Sequence, residues 1–308
     1  MSRISKIFVD EIPFFFAAPA FLWEFFFLYA PFAVLTIHSL FDYNLHTGTY
    51  NLTFEFYHQV INSLYINIIF RSFSLAAATA FICFLIAYPV AYFLVMKSPE
   101  KYKSFLLFSL ILPSWTSLIV QVYAWFFLLE KNSWFSRFLQ AVGILSPTSH
   151  LLNNYFSIML GMVSCYLPFM ILPIYAVLEK LDKRLMDASA DLGADRYETF
   201  KRIVFPLSLP GVYAGLLLVF IPSFGEFAIP GLLGGSKYIF WGSVIVDKFL
   251  FSRDWRVGAA LVVTGILIPV ALLMLIYFIA KINKRIQIKK ISGYSENIDQ
   301  NIARDIWD

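Results

Sequence analysis

Residues 179–206 decide the fold: EKLDKRLMDASADLGADRYETFKRIVFP, a polar stretch set between two long apolar runs. Asp182 is a residue type that begins helices, because its side chain can accept a hydrogen bond from a free backbone N–H group. Gly193 supplies the left-handed backbone conformation that commonly ends a helix. A first short helix is therefore predicted from just after Asp182 through Leu192.

A second short helix is predicted directly after this glycine. Asp195 can cap it, and Glu198, three positions further on, completes a variant of the capping box. Pro206 and Pro210 are expected to end the helix before the chain enters the next apolar run, because proline lacks a backbone donor. The two helices would meet at an angle, and we call residues 179–209 the elbow.

The surface of the elbow can be interpreted in two ways. Asp187 and Asp191 lie four residues apart and share one helix face. Small or apolar side chains nearby would let a protein partner approach closely; they are Leu185, Ala188, Ala190 and Leu192. The elbow also carries many basic residues, which would suit an amphipathic loop lying on a bilayer surface. The residue pattern alone leaves both interpretations open.

The composition around the elbow is typical of a membrane protein. Of the 308 residues, 59% are hydrophobic and 14% are charged, and the mean hydropathy is +0.71. A soluble domain carries about a quarter charged residues, and no water-soluble fold of this size can hide so much apolar surface. Cys83 and Cys165 both fall inside apolar runs, which argues against a disulfide framework and against a zinc or iron–sulfur site.

Six apolar segments are long enough to cross a bilayer, for which roughly 20 residues suffice. They are residues 14–40, 64–95, 105–129, 155–178, 211–233 and 257–282. The first exceeds the hydrophobic region of a signal peptide and is interpreted as a retained helix. The predicted fold is therefore an all-α, polytopic membrane protein with about six transmembrane helices, in which residues 13–291 form the transmembrane domain.

Positive charges are unevenly divided between the two sides of the predicted bundle. Most of the 24 Lys and Arg residues lie in the N-terminus, the loop after the second span, the elbow and the C-terminal tail. Cytoplasmic segments of membrane proteins carry such an excess. Residues 1–12, the elbow and residues 292–308 are therefore predicted to be cytoplasmic, which places both termini in the cytoplasm.

Prolines inside the spans predict bends, because each removes a backbone donor. Two stand beside polar or small residues: Pro113 precedes Ser-Trp-Thr-Ser, and Pro222 precedes Ser-Phe-Gly-Glu. These two are the best candidates for places where helices bend around a pathway. The alternative is that the kinks simply shape the bundle.

Three parts of the elbow form a spaced motif: Asp187-Ala-Ser, then Gly193 after three residues, then Ile203-Val-Phe-Pro206 after nine. This motif resembles the EAA loop of binding-protein-dependent ABC importer permeases, with Asp187 in place of Glu and Ser189 in place of Ala. The resemblance implies that the elbow sits in a cleft of an ATP-binding subunit and transmits its closure to the membrane helices. The residues that it implicates in coupling are Asp187, Ala188, Ser189, Asp191, Gly193, Ala194, Phe200 and Pro206.

Longer stretches of the sequence narrow the resemblance to one group of these permeases. Leu112-Pro-Ser-Trp-Thr-Ser, Tyr166-Leu-Pro-Phe-Met-Ile-Leu-Pro173 and Gly225-Glu-Phe-Ala-Ile-Pro230 are similar to the permeases of bacterial spermidine and putrescine importers. That similarity implies a polyamine substrate, alternating access and a place in the bacterial inner membrane. It also implies partners: ABC ATPase subunits that bind ATP and magnesium, a second permease subunit that is usually a different chain, and a periplasmic substrate-binding protein. Importers for iron, thiamine or sulfate share parts of the similarity and are the alternative.

A polyamine is a long, flexible cation, so its pathway should offer carboxylates and aromatic faces. Ionisable residues inside a membrane are costly and are candidates for function, which singles out Glu226 in the fifth span. Trp115 and Tyr123 on the third span could supply aromatic walls, and Asp247 in a predicted external loop could attract cations. Glu226 could instead pair with Arg71 or hydrogen-bond a kinked backbone as structural support.

Sequence motifs of an enzyme are not found. The chain contains no G-x-x-x-x-G-K-[ST] phosphate-binding loop, and its four His residues show no metal-ligand spacing. The chain is therefore interpreted as a non-catalytic permease that holds no cofactor itself and leaves ATP hydrolysis to a partner; nucleic acid is not an expected partner. The alternatives from other classes are a secondary transporter, which would need no docking elbow, and a membrane-embedded enzyme.

Overall fold

The computed structural model describes residues 18–44, 49–146, 150–182, 184–271 and 274, and these are mainly helical. The chain divides into two compact units: residues 40–258, and the segments on either side of them. The helices are α1 (Ala18–Leu40), α2 (Glu55–Val60), α3 (Ser63–Met96), α4 (Glu100–Trp115, ending in a 3₁₀ turn), α5 (Leu118–Leu129), α6 (Trp134–Ala141), α7 (Tyr155–Glu179), α8 (Arg184–Asp191), α9 (Arg196–Phe224), α10 (Ala228–Leu233), α11 (Trp241–Val246, continued by a π-helical turn, Asp247–Phe251) and α12 (Trp255–Ala271).

The predicted all-α, polytopic fold is confirmed. Within the described residues, α1, α3, α7 and α9 are each long and apolar enough to cross a membrane. The segment from α4 to α6 adds a fifth crossing if it is counted as one broken span. The sixth predicted span, 257–282, is described chiefly in its first part, as the shorter apolar helix α12. Its last residues, the N-terminal segment 1–12 and the tail 292–308 lie outside the described residues.

The third predicted span bends where Pro113 predicted a bend. α4 ends at Trp115 and α5 begins at Leu118, with an angle of 91° between the two helical segments. The side-chain amide of Gln121 donates to the Pro113 carbonyl at 2.6 Å. The Thr116 N–H and hydroxyl also donate to this oxygen, at 3.1 and 2.7 Å. Inside a membrane the carbonyls at a helix break need such donors, so Thr116 and Gln121 together stabilise the break.

The helix after the elbow differs from the prediction. Pro206 and Pro210 do not end it, since α9 continues through both prolines to Phe224. Directly before Pro206 the chain forms a wide π-helical turn, Phe200–Val204. A proline ring crowds the preceding turn of an α-helix, and the wider turn makes room for it. The expectation that the prolines end the helix was therefore wrong.

The all-α prediction also omitted a short β-hairpin in the connection between α1 and α2. Its strands, Phe41–Asn44 and Thr49–Leu52, are antiparallel, with Phe41 paired with Leu52. A hydropathy window of about 20 residues cannot detect strands of this length. The hairpin therefore could not be read from the pattern that located the spans.

Helices α3, α7 and α9 pack together as the core of the larger unit. α7 and α9 approach closely because glycines lie between them. A Cβ atom on Gly211 would lie 2.6 Å from the Pro173 carbonyl oxygen, and one on Gly215 would lie 3.2 Å from the Met170 carbonyl oxygen. Small residues of this kind let helices pack tightly in lipid. The close contact fixes the two helices that flank the elbow.

Gly211→Ala is expected to destabilise the protein, because the added methyl group meets a backbone carbonyl that cannot rotate away. Overpacking of this kind costs about 1–3 kcal/mol, which thermal unfolding of the purified protein in detergent would detect. Gly231→Ala in α10 is the matched control, since no atom lies within 4 Å of its Cβ position. Equal losses of stability in the two variants would show that the α7–α9 contact is not the cause.

Candidate coupling and substrate sites

The helix–glycine–helix geometry of the elbow follows the prediction from the sequence. α8 ends shortly before Gly193, whose φ of +83° lies in the left-handed region. Asp195 then caps α9, and its carboxylate accepts a hydrogen bond from the Glu198 N–H at 2.6 Å. The Glu198 carboxylate turns to Arg202, 3.5 Å away, so the capping box is half formed. The glycine therefore sets the angle between two capped or terminated helices.

Ser189 joins the two helices of the elbow. It is buried, and its hydroxyl lies 2.7 Å from the Thr199 hydroxyl. The Thr199 hydroxyl lies 2.9 Å from the Asp195 carbonyl, so the pair also reaches the cap of α9. The serine at this position, where the resembling motif has alanine, thus adds a contact within the elbow. No pattern in the sequence pointed to Thr199, because its pairing with Ser189 depends on the angle at Gly193.

The other side of the elbow is open to solvent. Its exposed residues include Asp187, Ala188, Asp191, Leu192 and Gly193. Leu192 is 89% exposed although it is apolar, and Ala194 is partly buried at the edge of this face. Two carboxylates, small side chains and a protruding leucine give the face a shape and charge that a protein partner could recognise. We call these five residues the open face.

Phe200 attaches the elbow to the membrane helices. Its ring lies 5.7 Å from the Tyr88 ring and 5.8 Å from the Tyr92 ring, edge-on to both. Edge-to-face pairs at this distance are favourable. The Tyr88 hydroxyl also lies 2.9 Å from the Ser208 hydroxyl of α9. This aromatic cluster, which we call the Phe200 cluster, joins the first turns of α9 to α3. Pro206 lies exposed just beyond it.

Ser189→Ala is expected to loosen the elbow, because it removes one member of the hydroxyl pair. A lost neutral hydrogen bond costs about 1 kcal/mol, so amide hydrogen exchange in α8 and the first turn of α9 should speed up about fivefold. Thr199→Val is expected to have the same effect, and the double variant should be no worse than either single one. Effects that simply add in the double variant would show that the two hydroxyls act independently.

Glu226 lies at a break between α9 and α10 rather than within a continuous fifth span. One carboxylate oxygen accepts hydrogen bonds from the N–H groups of the next three residues, at 2.8–3.4 Å. The other oxygen accepts from the Tyr166 hydroxyl of α7 at 2.7 Å. The predicted span 211–233 is therefore interrupted just after Pro222, where a bend was predicted. A carboxylate can satisfy the free amides of a helix start, which makes the break stable inside the membrane.

The break is also held from α11. The Trp241 N–H donates to the Ser72 hydroxyl of α3 at 2.8 Å. The next residue, Gly242, lies so close to the Gly225 carbonyl that a side chain would have no room. The start of α11 thus sits between α3 and the break.

Of the roles considered for Glu226, structural support of a kinked backbone is the one that its hydrogen bonds fit. Within the part of the chain that the structure describes, no ion pair joins Glu226 to Arg71. Only 9% of Glu226 is exposed. Its partner Tyr166 was missed by the sequence analysis, because the two residues lie 60 positions apart and no local pattern links them.

The other candidate pathway residues lie on exposed surfaces. Trp115, at the end of α4, is 72% exposed, and Tyr123, on α5, is 44% exposed. Asp247, at the start of the π-helical turn after α11, is also exposed. In the described residues no hydrogen bond, ion pair or ring contact joins these three to one another or to Glu226. Tyr123 is linked to Glu226 indirectly, because α5 packs against α10, the helix that Glu226 caps.

Apolar spanning helices, a helix–glycine–helix elbow and two broken segments define a membrane subunit with the fold of an ABC importer permease. A crystal structure of a bacterial ABC transporter involved in the import of the acidic polysaccharide alginate contains a chain with this fold. The TM-score is 0.65 over 92% of this chain and 99% of that chain, at 15% sequence identity. A second structure, of an alginate transporter in complex with an alginate pentasaccharide-bound periplasmic protein, gives a TM-score of 0.62 at 13% identity. At such identities the likeness concerns the fold alone.

Residues 86–292 match the family described as binding-protein-dependent transport system inner membrane component, and the chain belongs to this family. It is therefore a multi-pass inner-membrane component of a transport system. Spermidine/putrescine transport system permease protein PotB of Haemophilus influenzae is 37% identical over 87% of this chain and 94% of its own length. PotB of Escherichia coli K12 is 36% identical over 77% and 86% of the two chains. The inner membrane ABC transporter permease protein YdcU of the same organism is 32% identical over 74% of each.

Proposed function

We propose that this chain is a permease subunit of an ATP-driven ABC importer that moves polyamines, putrescine or spermidine, across the bacterial inner membrane. The observation that carries the substrate class is the 37% identity to a spermidine/putrescine permease over 87% of this chain. The family already makes the chain part of a transport system. The polyamine class then follows from similarity that extends across both broken segments as well as the elbow.

The open face of the elbow is the proposed docking site for an ABC ATPase subunit, which would bind ATP and magnesium. Asp187 and Asp191 supply charge, and Leu192 is an apolar side chain that gains from being covered. The Ser189–Thr199 contact keeps the two helices of the elbow at a fixed angle. Closure of the ATPase would therefore displace the elbow as one body, and the Phe200 cluster would pass the displacement to α3 and α9.

The proposed substrate pathway borders the two breaks. Trp115 and Tyr123 offer exposed aromatic faces to an ammonium group, and Asp247 offers an exposed carboxylate. We propose that Glu226 shapes the break beside this pathway through its hydrogen bonds. Direct contact between its carboxylate and an ammonium group stays a prediction, which the variant Glu226→Gln tests.

The proposal includes three partners and one orientation. The excess of Lys and Arg on the elbow side favours a cytoplasmic elbow and cytoplasmic termini, so the ATPase subunits would dock from the cytoplasm. A periplasmic substrate-binding protein would then deliver the polyamine to the opposite face. A second permease subunit, usually a different chain in importers of this kind, would complete the pathway.

ATP hydrolysis by the reconstituted complex tests this function. The complex contains this chain, its partner permease, the ATPase subunits and the binding protein in lipid nanodiscs. We expect binding protein loaded with spermidine or putrescine to stimulate hydrolysis, and binding protein offered thiamine, sulfate or iron to leave it at the basal rate. Stimulation by one of these other solutes alone would refute the polyamine substrate and retain the permease.

A further inference from the structure

A charged cluster lies at the start of the elbow, where α4 meets the end of α7. The Lys103 ammonium lies 3.1 Å from one carboxylate oxygen of Glu179. The Tyr175 hydroxyl donates to that same oxygen at 2.7 Å. The ammonium also lies 5.7 Å from the centre of the Tyr175 ring, and Glu100 is at its outer edge, 3.9 Å away. The three side chains Lys103, Tyr175 and Glu179 therefore contact one another in a closed set, which we call the clamp.

The clamp differs from an ordinary surface ion pair. Only 12% of the Lys103 side chain is exposed, against 46% of the Glu179 side chain, so the lysine is largely withdrawn from solvent while its partner is half exposed. A largely desolvated charge needs its partners, whereas a solvated pair contributes little. The carboxylate oxygen and the aromatic ring supply that compensation from α7. Lys103 therefore fixes α4 to the end of α7 more firmly than a surface lysine would.

The position of the clamp links the elbow to the broken third span. Glu179 is the last residue of α7 and the first residue of the elbow, from which the chain turns toward α8. Lys103 lies in the first turn of α4, and the opposite end of the same helix carries Trp115. A helix rises about 1.5 Å per residue, so α4 spans roughly 18 Å between these two residues. Displacement at the elbow can thus be carried along α4 to the bend beside Trp115.

We propose that Lys103 and Glu179 are positioning residues for transport, which tie the elbow to the broken third span and pass ATPase closure to it. The proposal rests on the proposed function, since it needs an ATPase that moves the elbow. It adds a second route for that movement, beside the Phe200 cluster that leads to α3 and α9. The charge of each residue matters through its partner, so exchanging the two charges should restore the ion pair, though not the contacts that both residues make with Tyr175.

The test uses the reconstituted complex described above, with ATP hydrolysis measured with and without spermidine-loaded binding protein. Lys103→Ala is expected to reduce the stimulation about tenfold, while the basal rate and co-purification of the ATPase stay unchanged. Glu179→Ala should do the same. Lys101→Ala is the matched control, because Lys101 is exposed on the same helix turn and lies over Tyr102 rather than on Glu179; its stimulation should equal that of the wild type.

Exchanging the charges of Lys103 and Glu179 distinguishes a role in coupling from a role in the stability of the complex. The double variant Lys103→Glu with Glu179→Lys is expected to recover part of the stimulation that either single reversal loses, because the ion pair returns while the Tyr175 contacts do not. Tyr175→Phe keeps the ring under Lys103 and removes only the hydroxyl, so a loss of about threefold is expected. If Lys103→Ala prevents assembly of the complex, the charge-exchange variant and Tyr175→Phe test the proposal in its place. Full stimulation in Lys103→Ala would overturn the role of the clamp in transport, and so would a double variant no better than the single reversals. A wild-type complex without stimulation would instead overturn the proposed function itself.

Discussion

Gly193→Val is expected to abolish polyamine uptake while the chain stays in the membrane. The φ of Gly193 is +83°, a conformation that costs most residues roughly 1–2 kcal/mol and a β-branched residue more. No atom lies within 4 Å of the Cβ position, so the backbone rather than space is the obstacle. Valine would change the angle between α8 and α9 and move the open face away from the proposed ATPase. We expect uptake to fall by at least about tenfold.

Gly193→Asn is the control for this variant. Asparagine is similar in size to valine but adopts the left-handed conformation far more readily, so uptake should stay close to that of the wild type. The measurement is the initial rate of labelled spermidine uptake, normalised to the amount of permease in the membrane. Equal transport by the two variants would mean that the angle at Gly193 has no part in coupling.

Glu226→Ala is expected to produce the other large effect. It removes the carboxylate that holds three backbone N–H groups and the buried Tyr166 hydroxyl. A lost helix cap costs about 0.5–2 kcal/mol, and a buried hydroxyl without a partner costs about 1–3 kcal/mol more. The break between α9 and α10 should therefore lose its fixed geometry. We expect the maximal rate of uptake to fall about tenfold and the midpoint of thermal unfolding to drop.

Glu226→Gln distinguishes a cap from a ligand. Its amide oxygen can still accept from the backbone N–H groups, and its NH₂ group can donate to Tyr166, so the break should persist. If Glu226 acts through the break, this variant keeps most of the maximal rate and its KM for spermidine stays within about twofold of the wild-type value. A KM raised about tenfold, with unchanged thermal stability, would instead mean that the negative charge contacts the substrate.

Local patterns were sufficient for the helix–glycine–helix turn of the elbow. Asp195 and Gly193 act through their own backbone neighbourhood, so a residue type at a given spacing predicted both the cap and the left-handed turn. The spans followed from the length of apolar runs, and Pro113 and Pro222 located the two breaks. Pro206 was misjudged for an equally local reason, because the π-helical turn before it relieves the crowding that ends most helices at proline.

Contacts between distant segments could not be predicted in the same way. Thr199 meets Ser189 only because the elbow has a particular angle, and Tyr166 meets Glu226 only because α7 packs against the break. Lys103 looked like one basic residue among several in a polar loop, yet it is mostly buried against α7. Each of these partners depends on tertiary packing, which a single sequence does not display.

Uptake of labelled putrescine and spermidine by cells that lack this chain decides whether it is a polyamine permease. The partner permease, the ATPase and the binding protein are expressed throughout, and wild-type or Gly193→Val chain is restored. Wild type should restore energy-dependent uptake of at least one polyamine, and Gly193→Val, present at the same level, should not. A wild-type chain that restores uptake of neither compound would mean that the substrate is not a polyamine.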